Sequence, residues 1–136
     1  MKDWIDLLAR FMLSFIFLAR AGTMLYDVDA TIQELLGSGW SWMPKFSLIT
    51  TIVLTFLGGL LVLLGYRAKL GAFFLIIVLV PTTIYFHDFW NSPSEQQQFQ
   101  LVEFMKNMAI LGGLLMVLAN GSGKISIKRI FATTKT

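Results

Sequence analysis

Residues 44–65, PKFSLITTIVLTFLGGLLVLLG, carry one charge, Lys45 near their start, ahead of an almost unbroken apolar run. A helix needs about 20 such residues to cross a hydrocarbon layer of roughly 30 Å, so this stretch reads as a transmembrane span. Outward from it, 4–26, 70–89 and 93–119 read the same way, the last with a polar start that stands outside the lipid. Composition agrees: of 136 residues, 56% are hydrophobic and 14% charged, and the mean hydropathy is +0.70, which leaves nothing for a soluble domain. The expected fold is an all-α membrane protein, a four-transmembrane-helix bundle forming one domain over 1–136. The first span is expected to be retained rather than cleaved as a signal peptide. Its leading charge is a single Lys2, it contains Arg10 and Arg20, and no small-x-small cleavage site follows.

The segment LGGLLVLLG at 57–65 recurs as LGGLLMVLA at 111–119, each time in the second helix of a hairpin. Two similar helical hairpins are implied, related by a pseudo-axis along the membrane normal. Gly58, Gly59, Gly112 and Gly113 are expected at close helix contacts, the means by which packing is gained in lipid. Between the first two spans, TIQELL at 31–36 reads as a short interfacial helix, and Trp4, Tyr26, Trp40 and Trp42 as headgroup-level aromatics. Pro81 should kink the third span, with Thr82 and Thr83 hydroxyls serving the freed carbonyls. SPSE at 92–95 reads as a capping box with Ser92 as N-cap.

Cations give an orientation. Lys2, Arg67, Lys69, Lys124, Lys128, Arg129 and Lys135 fall at the termini and the central turn, whereas the other loops hold only Lys45. That asymmetry predicts cytoplasmic N- and C-termini, with a basic tail over 120–136, in a bacterial cytoplasmic (inner) membrane. The pI near 9.4 then describes an inner surface facing the anionic lipid bilayer, not a nucleic-acid footprint.

Ionisable groups inside a span cost on the order of 2.5–3.5 kcal/mol at its centre, so each asks for a partner or a purpose. Asp6, Arg10 and Ser14 share one face of the first span and read as a structural ion pair with its neighbour. Arg20, in the outer third, has no acid within reach on its own helix. In the last span Gln96, Gln100, Glu103 and Asn107 form one stripe, with Lys106 beside it to pair Glu103. The aromatic stretch IYFHDFWN at 84–91 adds His87, Asp88 and Trp90 at the same level. Together Arg20, His87, Asp88, Trp90, Glu103, Lys106 and Asn107 are the candidate ligand-binding residues of an outward-opening pocket, with Thr51 and Thr55 as further lining. The alternative is a set of interlocked ion pairs that only specify packing.

No cysteine is present, so disulfides, thiolate ligands and dithiol relays are excluded. One histidine without carboxylates at ligand spacing predicts no metal, and no catalytic nucleophile constellation occurs.

Several pieces, in order, resemble the DoxX family of small four-helix membrane proteins: LARFMLSFIFL at 8–18, LGGLLVLLGYRAKLGA at 57–72, FHDFW at 86–90, and FMKNMAILGGLLMVLANGSGKISI at 104–127. Thr55 stands where many members have a glutamate, and Arg20 and Met24 replace other residues of the pattern in the first span. The resemblance implies a non-catalytic, quinone-associated subunit of a membrane redox system, working with a redox-enzyme partner. In that reading His87 and Lys106 bond the carbonyl oxygens of a quinone and Trp90 stacks on its ring. Two other readings stand beside it: a small-solute carrier acting as a homo-oligomer, and a purely structural partner-binding bundle. The apolar inner halves of the last three spans argue against a carrier.

Overall fold

The computed structural model describes residues 1–133 and is all-helical over them. Its elements are α1 (Lys2–Tyr26), α2 (Val28–Gly37), α3 (Pro44–Leu64), α4 (Ala68–Phe86), α5 (Ser94–Asn120) and α6 (Ile127–Thr133). Four of them, α1, α3, α4 and α5, are long and apolar enough to cross a membrane. The protein is thus an integral membrane four-helix bundle of two hairpins, α1 with α3 and α4 with α5, and α2 is the short additional helix.

The first two spans begin and end within two residues of the expected bounds. The third ends at Phe86 rather than 89, which leaves His87, Asp88 and Trp90 in the following turn. Residues 127–133 of the basic tail form α6, which the sequence did not announce, and the tail's last residues, 134–136 with Lys135, lie outside the described residues.

The capping box does not form. Pro93 is the N-cap of α5, its carbonyl accepting the Gln96 and Gln97 amides, and the Ser92 hydroxyl donates instead to the Asp88 carbonyl. At α2 a cap does form, where the Asp27 carboxylate accepts the Ala30 amide at 2.9 Å. Thr82 and Thr83 hydroxyls donate to the Val78 and Leu79 carbonyls. These lie one and two residues past the Ile77 carbonyl, whose donor Pro81 removes, so the expectation was displaced along the helix.

Around the bundle, α1 packs on α3, α3 on α4 and α4 on α5, but α5 only sparingly on α1. Lipid is as apolar as leucine, so these contacts rest on close packing and not on the hydrophobic effect. Glycines set them: a Cβ on Gly58 would lie 2.9 Å from the Gly71 carbonyl oxygen of α4, and one on Gly59 2.9 Å from Leu18 of α1. Gly113 faces Leu13 of α1, whereas Gly112 meets nothing within 4 Å, contrary to expectation. The core gathers Phe17, Val62, Ala72, Leu75, Leu114 and Val117. Outside it, Phe11, Phe15, Ile49, Phe73, Met105 and Met116 are exposed, as a lipid-facing belt requires.

The end of the bundle that carries both termini is closed by Arg10, which is 1% exposed. Its guanidinium bonds Asp6 Oδ2 at 3.0 Å, the Val62 and Leu63 carbonyls at 3.2 and 3.3 Å, and the Ile125 carbonyl. Asp6 also accepts the Gly123 amide at 3.1 Å. The Asp6–Arg10 pair anticipated from spacing therefore does more than snorkel. It ties α1 to the end of α3 and to the segment between α5 and α6, satisfying carbonyls that helix termini leave open.

Candidate functional site

At the end of the bundle away from the termini, where α1 and α5 touch only sparingly, a cleft of about 390 Å³ opens between them. Arg20 and Thr23 of α1 form one wall, Glu103 and Asn107 of α5 the other, with Thr55 of α3 and Thr82 of α4 on the floor and His87 at the rim. Helical period explains the arrangement: Glu103 and Asn107 are four apart, and Arg20 and Thr23 three apart, so each pair shares a face.

Each polar group has a definite state. His87 Nδ1 lies 2.9 Å from Gln100 Oε1, which fixes the ring against α5. Among the described residues neither His87 nor Arg20 pairs with Asp88, whose backbone carbonyl accepts the Asn91 amide and the Ser92 hydroxyl in the turn after Phe86. Glu103 pairs with Lys106 at 3.0 Å, as spacing suggested, with the lysine side chain 63% exposed and outside the cleft. Asn107 donates to Thr83 Oγ1 at 3.1 Å, linking α5 to α4. Trp90 stacks edge-on to Phe89 and Phe104 at 5.2 and 6.0 Å, so it fastens the turn onto α5. Of the seven residues expected to converge, Arg20, His87, Glu103 and Asn107 line the cleft, and Asp88, Trp90 and Lys106 do not.

Two groups of the cleft remain unsatisfied, and outside it the buried Ser14 hydroxyl also has no partner among the described residues. Among the described residues Arg20 makes no ion pair and no side-chain hydrogen bond. Thr55, 1% exposed, has a hydroxyl with no partner. An unpaired buried hydroxyl costs about 1–3 kcal/mol.

Thr51, expected beside Thr55, instead lines a separate cavity of about 250 Å³ beneath α2, walled by Trp40, Phe46, Pro81 and Tyr85. Trp40 packs edge-on to Tyr85 at 4.8 Å and donates to Ser47 Oγ at 3.0 Å. This chamber was not foreseen, because Trp40 and Trp42 read equally well as headgroup anchors.

A family model described as the SURF4 family matches residues 1–130. The chain belongs to the SURF4 family. It is 29% identical over 128 residues to a Surfeit locus protein 4 homolog of Drosophila melanogaster, covering 93% of this chain and 40% of that protein. It is 32% identical over 77 residues to the ER-derived vesicles protein ERV29 of Saccharomyces cerevisiae, covering 57% and 25%. The inner membrane protein YphA of Escherichia coli is 26% identical over 123 residues, covering 90% and 87%. The chain therefore spans less than half of the length of these two eukaryotic relatives and most of that of YphA. No solved structure matches it significantly.

Membership in the SURF4 family overturns the DoxX resemblance, and the quinone-associated redox reading falls with it. The pieces that carried the resemblance lie within residues 1–130. The two longest of them are built around glycine pairs amid leucines, and close packing in lipid favours such runs whatever the family.

Proposed function

We propose that this SURF4-family chain is a partner-binding membrane bundle, in which the cleft between α1 and α5 receives an acidic or hydrogen-bonding side chain from a partner's membrane-embedded segment. Arg20 carries the reading. It stands exposed on the cleft wall with its charge uncompensated among the described residues, and a cation in a span is costly until an acid or acceptor meets it. Thr55 supports the same reading, since its buried hydroxyl borders the same space without a partner. So does the sparse α1–α5 contact, whereas the other three neighbouring pairs interlock. The ligand-binding set is Arg20, His87, Glu103 and Asn107, with Asp88, Trp90 and Lys106 shaping the rim. That the yeast relative is named for ER-derived vesicles is compatible with a protein that binds others in a membrane.

The same proposal takes residues 1–136 as one transmembrane domain in a cytoplasmic membrane, with both termini on the cytoplasmic side, as the cation asymmetry favours. Because the chain has no cysteine, single substitutions test this without background: Ser122→Cys should react with an impermeant maleimide only after the cytoplasmic face is opened, and Ser92→Cys from outside.

The function itself is tested by photo-crosslinking in cells from a reactive residue at Ala19 or Ile110 in the cleft, against Phe73 on the lipid-facing belt. Discrete protein adducts are expected from the cleft positions and should disappear in Arg20→Ala. Lipid adducts alone from all three positions would end the reading.

A further inference from the structure

At the opposite end of the bundle a second, chemically different recess lies between the α3–α4 turn and the segment joining α5 to α6. It has a volume of about 620 Å³ and draws Arg67, Lys69 and Lys128 to one place, with Arg129 at its border and no carboxylate lining it among the described residues. Asp3 and Asp6 line a neighbouring recess that shares Arg129 and the 120–123 segment with this one, and Asp6 is already engaged by Arg10 and the Gly123 amide. Arg67, Lys69 and Lys128 thus face one another across the recess with no carboxylate between them among the described residues. Such self-repulsion is tolerated where an anion fills the space.

Three details indicate that the recess is built. The Lys69 stem runs along the Gly121 backbone, where a Cβ would lie 3.1 Å from its Cε, so its ammonium is held at the recess. Gly121 itself has φ +75° and is buried, which lets the chain turn away there and leave Ser122 and Gly123 on the wall. Arg67 adopts φ +48°, a left-handed conformation that an L side chain occupies at a cost glycine avoids, yet the turn carries arginine. That residue precedes the first turn of α4, whose opening amides have no side-chain cap and add partial positive charge. Leu70, 38% exposed, also lines the recess and offers an apolar surface next to the charges.

We infer that this recess binds the phosphate of an anionic phospholipid, with Arg67, Lys69 and Lys128 around the headgroup and the acyl chains descending beside Leu70. The shared chemistry is a phosphate oxyanion. A lipid source is favoured because the site sits where α3, α4 and α5 end, at headgroup depth, and because an apolar residue borders it. The inference is independent of the partner-binding proposal, since it concerns the other end of the molecule.

Native mass spectrometry of the purified full chain tests it, with phosphatidylglycerol and phosphatidylcholine of identical acyl chains added in parallel. The wild type should retain phosphatidylglycerol preferentially. Lys69→Gln, Lys128→Gln and Arg67→Gly should each reduce that retention about five-fold, the equivalent of about 1 kcal/mol per cation. Arg67→Gly also relieves the left-handed backbone, so its thermal stability should be unchanged or raised, and lost lipid cannot then be blamed on misfolding. Lys45→Gln, at the other end, should change nothing. Equal retention of the two lipids by the wild type would overturn the inference, as would unaltered phosphatidylglycerol retention in Arg67→Gly and Lys69→Gln. Inorganic phosphate that displaces the lipid at equal concentration would point to a free-anion site and overturn the lipid assignment.

Discussion

Helix α1 carries two arginines, and they meet opposite fates. Arg10 is buried, bonded to a carboxylate and to three backbone carbonyls from two other segments. Arg20, higher on the same helix, stands on a cleft wall with neither ion pair nor side-chain hydrogen bond among the described residues. A cation in a membrane helix is therefore not informative by type. What distinguishes the scaffold from the candidate site is whether the chain itself completes the cation's coordination.

The sharpest way to break this contrast is Arg10→Ala. It strands Asp6 and opens three carbonyls at once, and removing one partner of a buried pair costs about 3–5 kcal/mol. Folded protein recovered from detergent should fall severely. A melting temperature close to wild type would mean the inner end does not depend on this residue. Next in size is Gly65→Ala, where φ is +70° and a Cβ would lie 2.5 Å from Arg10 Nη1 and from Ser126 Cβ. A loss of about 1–3 kcal/mol in denaturant unfolding is expected.

At the outer end the sign should reverse. Thr55→Val replaces an unpaired buried hydroxyl with a methyl of similar shape, so stability should rise by about 1 kcal/mol while crosslinking to the partner weakens. Destabilisation instead would show that the hydroxyl has a partner. The smallest stability effect belongs to Arg20→Ala, within about 0.5 kcal/mol. Its loss should be of binding alone, and a melting shift as large as that of Arg10→Ala would erase the distinction between the two arginines.

Sequence made the spans legible because hydrocarbon thickness sets their length, and it made the polar face of α5 legible because helical period is fixed. Glu103, Lys106 and Asn107 needed nothing else. The contacts of Arg10 were only half visible: Asp6 lies one turn away, but the Ile125 carbonyl is 115 residues distant and has no local signature. The partner of His87 was not legible, because Gln100 comes across from α5, 13 residues on, and neither residue signals the other. The family was misjudged for a related reason. Glycine pairs amid leucines report what lipid demands of a helix contact, and Gly112, where an added Cβ would meet nothing within 4 Å, shows that such a pair need not lie at one.

The inner latch also has a consequence in time. A ribosome delivers Arg10 early and the Ile125 carbonyl 115 residues later, an interval on the order of ten seconds at ordinary synthesis rates. Until then the nascent bundle holds its most deeply enclosed cation with Asp6 as its nearest ally, so the segment after α5 works as the closing stitch of biogenesis. Chains stalled before Ile125 should be recognisable to membrane quality control by that open socket.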